Sequence, residues 1–111
     1  MIVRAGILYD GSLDAPRKNV DLLIEDGVVR EFRDAGGKCD YEAACVTPGL
    51  VNAHAHLEMS GEPDPMSAIL AMPPLERMLH AVENAQKSLR AGVTTIREPG
   101  GSEAIAIRIR R

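Results

Sequence analysis

The first half of the chain alternates short apolar runs with turn residues. The run from Ile2 to Tyr9 is rich in strand-forming residues and ends at an Asp-Gly pair. Two further runs lie between Val20 and Phe32 and are joined by Asp26-Gly27, a dipeptide typical of a tight hairpin. This pattern predicts short strands, two of which form an antiparallel hairpin.

The next apolar stretch, "AACVTPGLVNAHAHL", is interrupted by Pro48-Gly49, and we place a boundary there, with one strand before it and one after. A proline-rich segment follows. Its prolines bar a continuous helix and predict a loop with at most one short turn: Pro63, Pro65, Pro73 and Pro74.

The segment from Leu75 to Ala91 has helical spacing, with Pro74 suited to its first turn and Gly92 to its end. One apolar face collects the following residues: Leu75, Met78, Leu79, Val82, Ala85 and Leu89. The β-branched run "VTTIRE" then predicts a strand over Val93 to Glu98.

The resulting order is strand, long loop, helix, strand, and both strands are apolar enough to be buried on both faces. Such a unit is a βαβ crossover, which implies a parallel sheet and an α/β fold. The tail is ambiguous, since Ser102-Glu103 suits a helix start while the isoleucines from Ile105 to Ile109 alternate at strand period. We favour a helix, because the tail follows a strand and a glycine-rich loop.

The composition of these 111 residues is that of one soluble domain or a piece of one, with 45% hydrophobic and 26% charged residues. A net charge of −3 provides no electrostatic reason to expect nucleic acid or an anionic membrane as partner. No signal peptide or membrane span is predicted, so a cytoplasmic location is expected. Cys39 and Cys45 fit no CxxC spacing and are expected to be free thiols.

The segment "VNAHAHLEMSG" contains two histidines, His54 and His56, separated by one residue. On a strand such positions point to the same side, and neutral imidazole is the commonest protein ligand for zinc. They also follow a strand of a parallel sheet, where α/β folds collect their active-site groups. A bare His-x-His pair is nevertheless more often two ordinary histidines, so the surrounding sequence has to decide.

Three segments in order carry a family resemblance: "VDLLIEDGVVREF", "TPGLVNAHAHLEMS" and "AQKSLRAGVTTIREPGG". The second resembles the strand-one metal motif of the amidohydrolase superfamily of metal-dependent hydrolases. The first resembles the hairpin of the small β-sandwich that precedes the barrel in that superfamily. The third resembles its first helix and second strand, and points to the imidazolonepropionase-like and Xaa-Pro dipeptidase-like branch. Glu98 stands where that branch usually has aspartate.

The resemblance implies a β-sandwich portion over residues 1–48 and the first two βα units of a (β/α)8 TIM-type barrel over residues 49–111. Because such a barrel needs about 250 residues, this chain would hold an incomplete barrel. The resemblance places the superfamily's later ligands and general base on strands beyond Arg111, and His80 is expected to be an ordinary helix histidine. We therefore expect an N-terminal piece of an enzyme, which alone is poorly soluble or not stably folded and has no turnover.

By the same resemblance, His54 and His56 bind a divalent metal ion, most often zinc. It is either a single ion or the more buried ion of two. A metal-activated water would hydrolyse a carbon-nitrogen bond in a small amide or cyclic amide. Deaminases belong to the same superfamily, and in that alternative Glu58 lies in or near the substrate pocket instead of being a solvated loop carboxylate. Glu98 is a further candidate for contact with substrate or with the metal ligands.

A hypothesis from another functional class remains open. The chain is then a non-catalytic fragment or a β-rich module that needs a partner chain. Its open strand edges would be covered by a second copy or by a missing C-terminal segment.

Overall fold

A computed structural model of the chain describes residues 1–101 and 105–110. The chain divides into two compact units, Met1–Pro48 and Gly49–Arg111. The first is all strand and the second contains both strands and helices, so the chain is α/β. The assignment of these units to a β-sandwich portion and to the start of a barrel remains a prediction.

The first unit is a four-stranded mixed sheet in the order β3-β2-β1-β4. Its strands are β1 (Ile2–Leu8), β2 (Arg17–Glu25), β3 (Val28–Asp34) and β4 (Tyr41–Val46). Antiparallel pairing joins β1 to β2 and β2 to β3, whereas β4 runs parallel to β1.

The predicted hairpin between β2 and β3 is confirmed. Its two-residue turn is Asp26-Gly27, and both residues have positive φ, 51° and 74°. Two positive φ angles are what a type I′ turn requires, and that turn matches the twist of the flanking strands.

The core of the first unit is a cluster of four buried residues, Ala5, Leu8, Val20 and Leu22, which pack together. Asp21 is also fully buried. Its carboxylate is satisfied by Arg4 on the neighbouring strand, through Nε at 2.8 Å and a terminal guanidinium nitrogen at 3.0 Å, and by the Gly36 backbone N–H at 3.1 Å. A buried charge persists only with such partners.

The second unit contains β5 (Leu50–Asn52), α1 (Pro65–Ala71), α2 (Pro74–Arg90), β6 (Val93–Ile96) and α3 (Ile105–Ile109). β5 and β6 pair in parallel, which confirms the predicted crossover. Gly92 ends α2 with a φ of 89°, a left-handed conformation that favours glycine at this position.

The prediction that both strands of this unit are buried on both faces is wrong for the described residues. All three residues of β5 are exposed, and the two threonines of β6 are exposed as well. The reason is that this sheet has two strands among residues 1–101 and 105–110, and that the helix packed on it, α2, contacts β6. An apolar sequence favours burial, but covering layers of chain are what exclude water.

The proline-rich segment contains a seven-residue helix, α1, where the sequence predicted a loop with at most one short turn. Its prolines lie at or outside the helix ends, so none breaks an internal hydrogen bond. Pro65 occupies the first turn, and the Asp64 side chain caps the helix by accepting from the Ser67 N–H at 3.2 Å.

α2 agrees closely with the predicted helix, but its apolar face is only partly used. Ala81 is buried, with Met78 and Ala85 beside it, in a core that also includes Leu57 and Ile105. Other residues of the predicted face are largely exposed: Leu75, Leu79 and Leu89.

The tail forms the helix α3 and confirms the helical alternative for residues 105–109. The suggested helix start at Ser102 and Glu103, and Arg111, lie outside the described residues. Within residues 1–101 and 105–110, no helix is long and apolar enough to cross a membrane.

Candidate functional site

The candidate site is built where the two parallel strands of the second unit end. Backbone hydrogen bonds continue past both strand ends, from Arg97 N to Asn52 O at 2.8 Å and from Ala55 N to Arg97 O at 3.1 Å. His54 and His56 therefore follow β5 and are not within it. The segment that carries them is still held against the chain that leaves β6.

The close approach of the strands depends on Gly49. A Cβ at this position would overlap the side chain of Thr94 on β6. The Pro-Gly boundary seen in the sequence thus brings the start of β5 against its partner strand.

The two histidine rings are neighbours, with centroids 5.2 Å apart and ring planes inclined by 79°. His54 is exposed and His56 is half-buried. The structure therefore brings together the two side chains that the sequence proposed as metal ligands.

The ring of His56 is held through its Nδ1 atom. Two oxygens lie 2.9 Å from Nδ1, one from the Glu98 carboxylate and one from the Gly100 carbonyl. A carbonyl oxygen can only accept, so the network assigns the proton to Nδ1. In the neutral ring, Nε2 then carries the lone pair that a metal ion requires.

The same oxygens raise the pKa of His56 above its ordinary value. The Gly100 carbonyl has the largest effect and the Glu98 carboxylate follows, while burial acts in the opposite direction. A metal ion would have to displace a proton that is held more firmly than usual.

Glu58 is buried, with 4% of its surface exposed, so it is not a solvated loop carboxylate. It lies against Gly101, where a Cβ would come within 2.5 Å of Glu58 Oε1. The chain on both sides of Glu58 is anchored to α2, because the Asn84 side-chain amide donates to the carbonyls of Leu57 and Met59 at 2.8 and 3.1 Å.

A cavity of about 190 Å³ adjoins His56 and Glu58. Apolar side chains form much of its wall: Met59, Met66, Ile69 and Leu70. Met66, Ile69 and Leu70 belong to α1, the helix that the sequence did not predict. A larger cavity of about 510 Å³ is bordered by α2, β6 and α3, and it contains neither His54 nor His56.

Sequence reasoning missed two contributors to this site, Asn84 and Gly100. Asn84 looks like an ordinary polar residue of α2, and Gly100 acts through its backbone carbonyl. No side-chain pattern signals a backbone acceptor, whereas a polar residue at the inner side of a helix would have been a weak hint.

The donor set fits a metal ion in part. Two adjacent imidazoles supply half of a tetrahedral zinc site. Among the described residues, no group of three or more His, Cys, Asp or Glu side chains is placed to hold a metal. His80 is half-buried on α2 and belongs to no such group.

Comparison with known proteins finds sequence and structural similarity to enzymes. No family model matches it. Over 61 residues it is 39% identical to an imidazolonepropionase from Salinispora arenicola (strain CNS-205), a match that covers 47% of this chain and 16% of that protein.

Solved structures match nearly the whole chain. A Xaa-Pro dipeptidase with methionine bound in its active site superposes with a TM-score of 0.82 at 23% identity, over 98% of this chain. An ochratoxinase from A. niger gives 0.76 at 21%, also over 98%, and an amidohydrolase gives 0.67 at 27%, over 97%. In each case the chain spans 28% of the matched structure.

The class defined by these matches is the amidohydrolase type of hydrolase. The predicted resemblance to the N-terminal segment of an amidohydrolase-superfamily enzyme is confirmed, and so is the assignment, by resemblance, to the hydrolases. Within that class the sequence match is to an imidazolonepropionase. The fold, an α/β chain with a mixed sheet and a small parallel sheet, agrees with that of the matched Xaa-Pro dipeptidase structure.

Proposed function

We propose that this chain supplies two metal ligands, His54 and His56, to a hydrolase that acts on carbon-nitrogen bonds with the help of a divalent metal ion. The observation that carries the proposal is the paired imidazoles, with His56 anchored through Nδ1 so that Nε2 is available. Metal-binding histidines usually have their other ring nitrogen held in this way.

Zinc is the proposed ion, because imidazole suits it well. When bound, it would supply the Lewis acidity that activates water and polarises a carbonyl. The chain's own contribution is to orient the His56 ring and to border the bound substrate. The 190 Å³ cavity beside His56 is of a size to accept part of a small amide or cyclic amide.

A deaminase-type reaction is a second candidate, and one observation favours it. Glu58 is a buried carboxylate at the same cavity as His56, which is where a group that moves a proton to or from a substrate would be needed. Tested in an assembly of this chain that turns over substrate, a Glu58→Gln variant separates the roles: it leaves metal binding by the histidines intact in both cases, and it abolishes turnover only where Glu58 transfers protons.

We further propose that this polypeptide alone does not turn over substrate. We also propose that it aggregates or associates nonspecifically with other chains. The support is the pair of histidines without a third ligand among the described residues, and the exposed apolar residues of β5, Leu50 and Val51. The proposed location is the cytoplasm, and the proposed partner is a small-molecule substrate. If the chain binds no metal ion, the result points to a non-catalytic role for it.

Metal binding tests the proposal directly. The metal content of the purified chain is measured by elemental analysis after equilibration with zinc, beside a His54→Ala/His56→Ala variant. A His80→Ala variant is the matched control, because it removes a histidine outside the pair. We expect zinc in the wild type and in the control, and its loss in the double variant. Equal zinc content in all three proteins would overturn the assignment.

A further inference from the structure

We propose that Glu98 is a positioning residue that sets the tautomer and the orientation of His56. The inference rests on the proposed function, because it concerns a ligand of the proposed metal site. It assigns Glu98 to the support of His56 and not to the binding of substrate. The observations that carry it are the contacts of both oxygens of one carboxylate.

The first oxygen, Oε1, is one of the two acceptors that face His56 Nδ1, and it also holds the residue that provides the other. It lies 2.9 Å from Nδ1, and it also accepts the Gly100 N–H at 3.2 Å. That second bond holds the residue whose carbonyl is the other partner of Nδ1, at 2.9 Å. Removing Glu98 therefore withdraws one acceptor and releases the other.

The second oxygen, Oε2, holds the backbone next to the ring. It accepts the Leu57 N–H at 2.7 Å, one residue after His56. The carboxylate thus fixes the ring at Nδ1 and the chain immediately beyond it. With 13% of its side chain exposed, Glu98 is screened little by solvent.

As a consequence, the neutral ring of His56 adopts one tautomer, with its proton on Nδ1. With Nδ1–H donating to two oxygens, the form with its proton on Nε2 would place a lone pair against those same oxygens. The Nδ1–H form leaves the Nε2 lone pair unprotonated, as metal binding requires. Partners of this kind typically change metal affinity about 10- to 100-fold when they are lost.

The test compares wild type with Glu98→Gln and Glu98→Ala. Glutamine keeps the length and packing of the side chain but provides one acceptor where the carboxylate provides two. Glu62→Ala is the matched control, because Glu62 is an exposed carboxylate in the loop between His56 and α1. The first readout is the tautomer of His56 in the metal-free chain, from ¹⁵N NMR of the imidazole nitrogens above the pKa of the ring. The second is the zinc dissociation constant.

We expect a predominantly Nδ1–H ring in the wild type and in Glu62→Ala. A growing Nε2–H fraction is expected in Glu98→Gln, and a larger one in Glu98→Ala. Zinc affinity is expected to fall about 10-fold or more in both Glu98 variants. Backbone spectra of Glu98→Gln that match the wild type outside the site show that the fold is retained.

The outcomes separate the two proposals. A His56 tautomer that is the same in wild type, Glu98→Gln and Glu98→Ala overturns the positioning role, even where zinc binds. A tautomer that changes as expected in a chain that binds no zinc supports the positioning role and overturns the proposed metal function.

Discussion

Arg4 and Asp21 form a two-point ion pair between the neighbouring strands β1 and β2. The guanidinium reaches both carboxylate oxygens, at 2.8 and 3.0 Å, and Asp21 is fully buried. The two residues are also direct partners in the strand register. A charge placed inside the sheet is thereby satisfied by the strand beside it.

Removal of this carboxylate is expected to destabilise the first unit strongly. Asp21→Ala leaves the Arg4 guanidinium without its main partner and the Gly36 N–H without an acceptor, and breaking a buried pair costs far more than breaking a surface pair. We expect the midpoint of thermal unfolding to fall by roughly 5 °C or more. Glu42→Ala is the control, because Glu42 is exposed and its contact with Arg4 is longer, at 3.7 Å. A midpoint that falls equally in both variants would contradict the prediction.

The same pair predicts a loss of stability in acid. The Arg4 guanidinium, and then the Gly36 N–H, hold the pKa of Asp21 below its ordinary value of 3.8. The stabilisation is therefore complete above about pH 4 and is lost as the pH falls through the lower folded-state pKa. Thermal melts between neutral pH and pH 2 measure it. Asp21→Asn should flatten this part of the curve, and an unchanged acid limb in that variant would remove Asp21 as its cause.

Truncation of the first core is expected to follow burial. Leu22 is 5% exposed within the cluster of Ala5, Leu8 and Val20. Leu22→Ala should lower the free energy of unfolding by about 2–5 kcal/mol. Leu13 is fully exposed, so Leu13→Ala should change that free energy by less than about 0.5 kcal/mol. Denaturant titration of both variants checks the prediction, and similar midpoints would refute it.

Gly49 is expected to tolerate no side chain. In Gly49→Ala the new Cβ overlaps Thr94, so β5 and β6 would have to separate and the histidine segment after β5 would lose its support. We expect loss of the hydrogen-exchange protection of Leu50 N–H, which donates to the Gly92 carbonyl at 2.9 Å. A Thr94→Gly change in the same chain should restore that protection.

Gly36→Ala is the matched control for this prediction. A Cβ at Gly36 meets no atom within 4 Å, and its φ is not in the left-handed region. Protection of Leu50 that survives in Gly49→Ala would show that the strands can adapt to the added methyl group.

Local chemistry in the sequence determined most of the elements of this protein. Asp26-Gly27 specifies a hairpin because both positions accept a positive φ. Helical spacing between Pro74 and Gly92, followed by a β-branched run, specifies a helix and a parallel strand. The His54 and His56 pair was recognisable as a site because its neighbours match a known motif.

Only the tertiary structure decided how these parts meet. Glu98 contacts His56 across 42 positions of sequence, and Glu58 is buried at a cavity whose wall includes α1, a helix that the sequence did not predict. The exposed faces of β5 and α2 were equally unpredictable. Burial and hydrogen bonding depend on which surfaces pack together, whereas periodicity and turn chemistry act within a few residues along the chain.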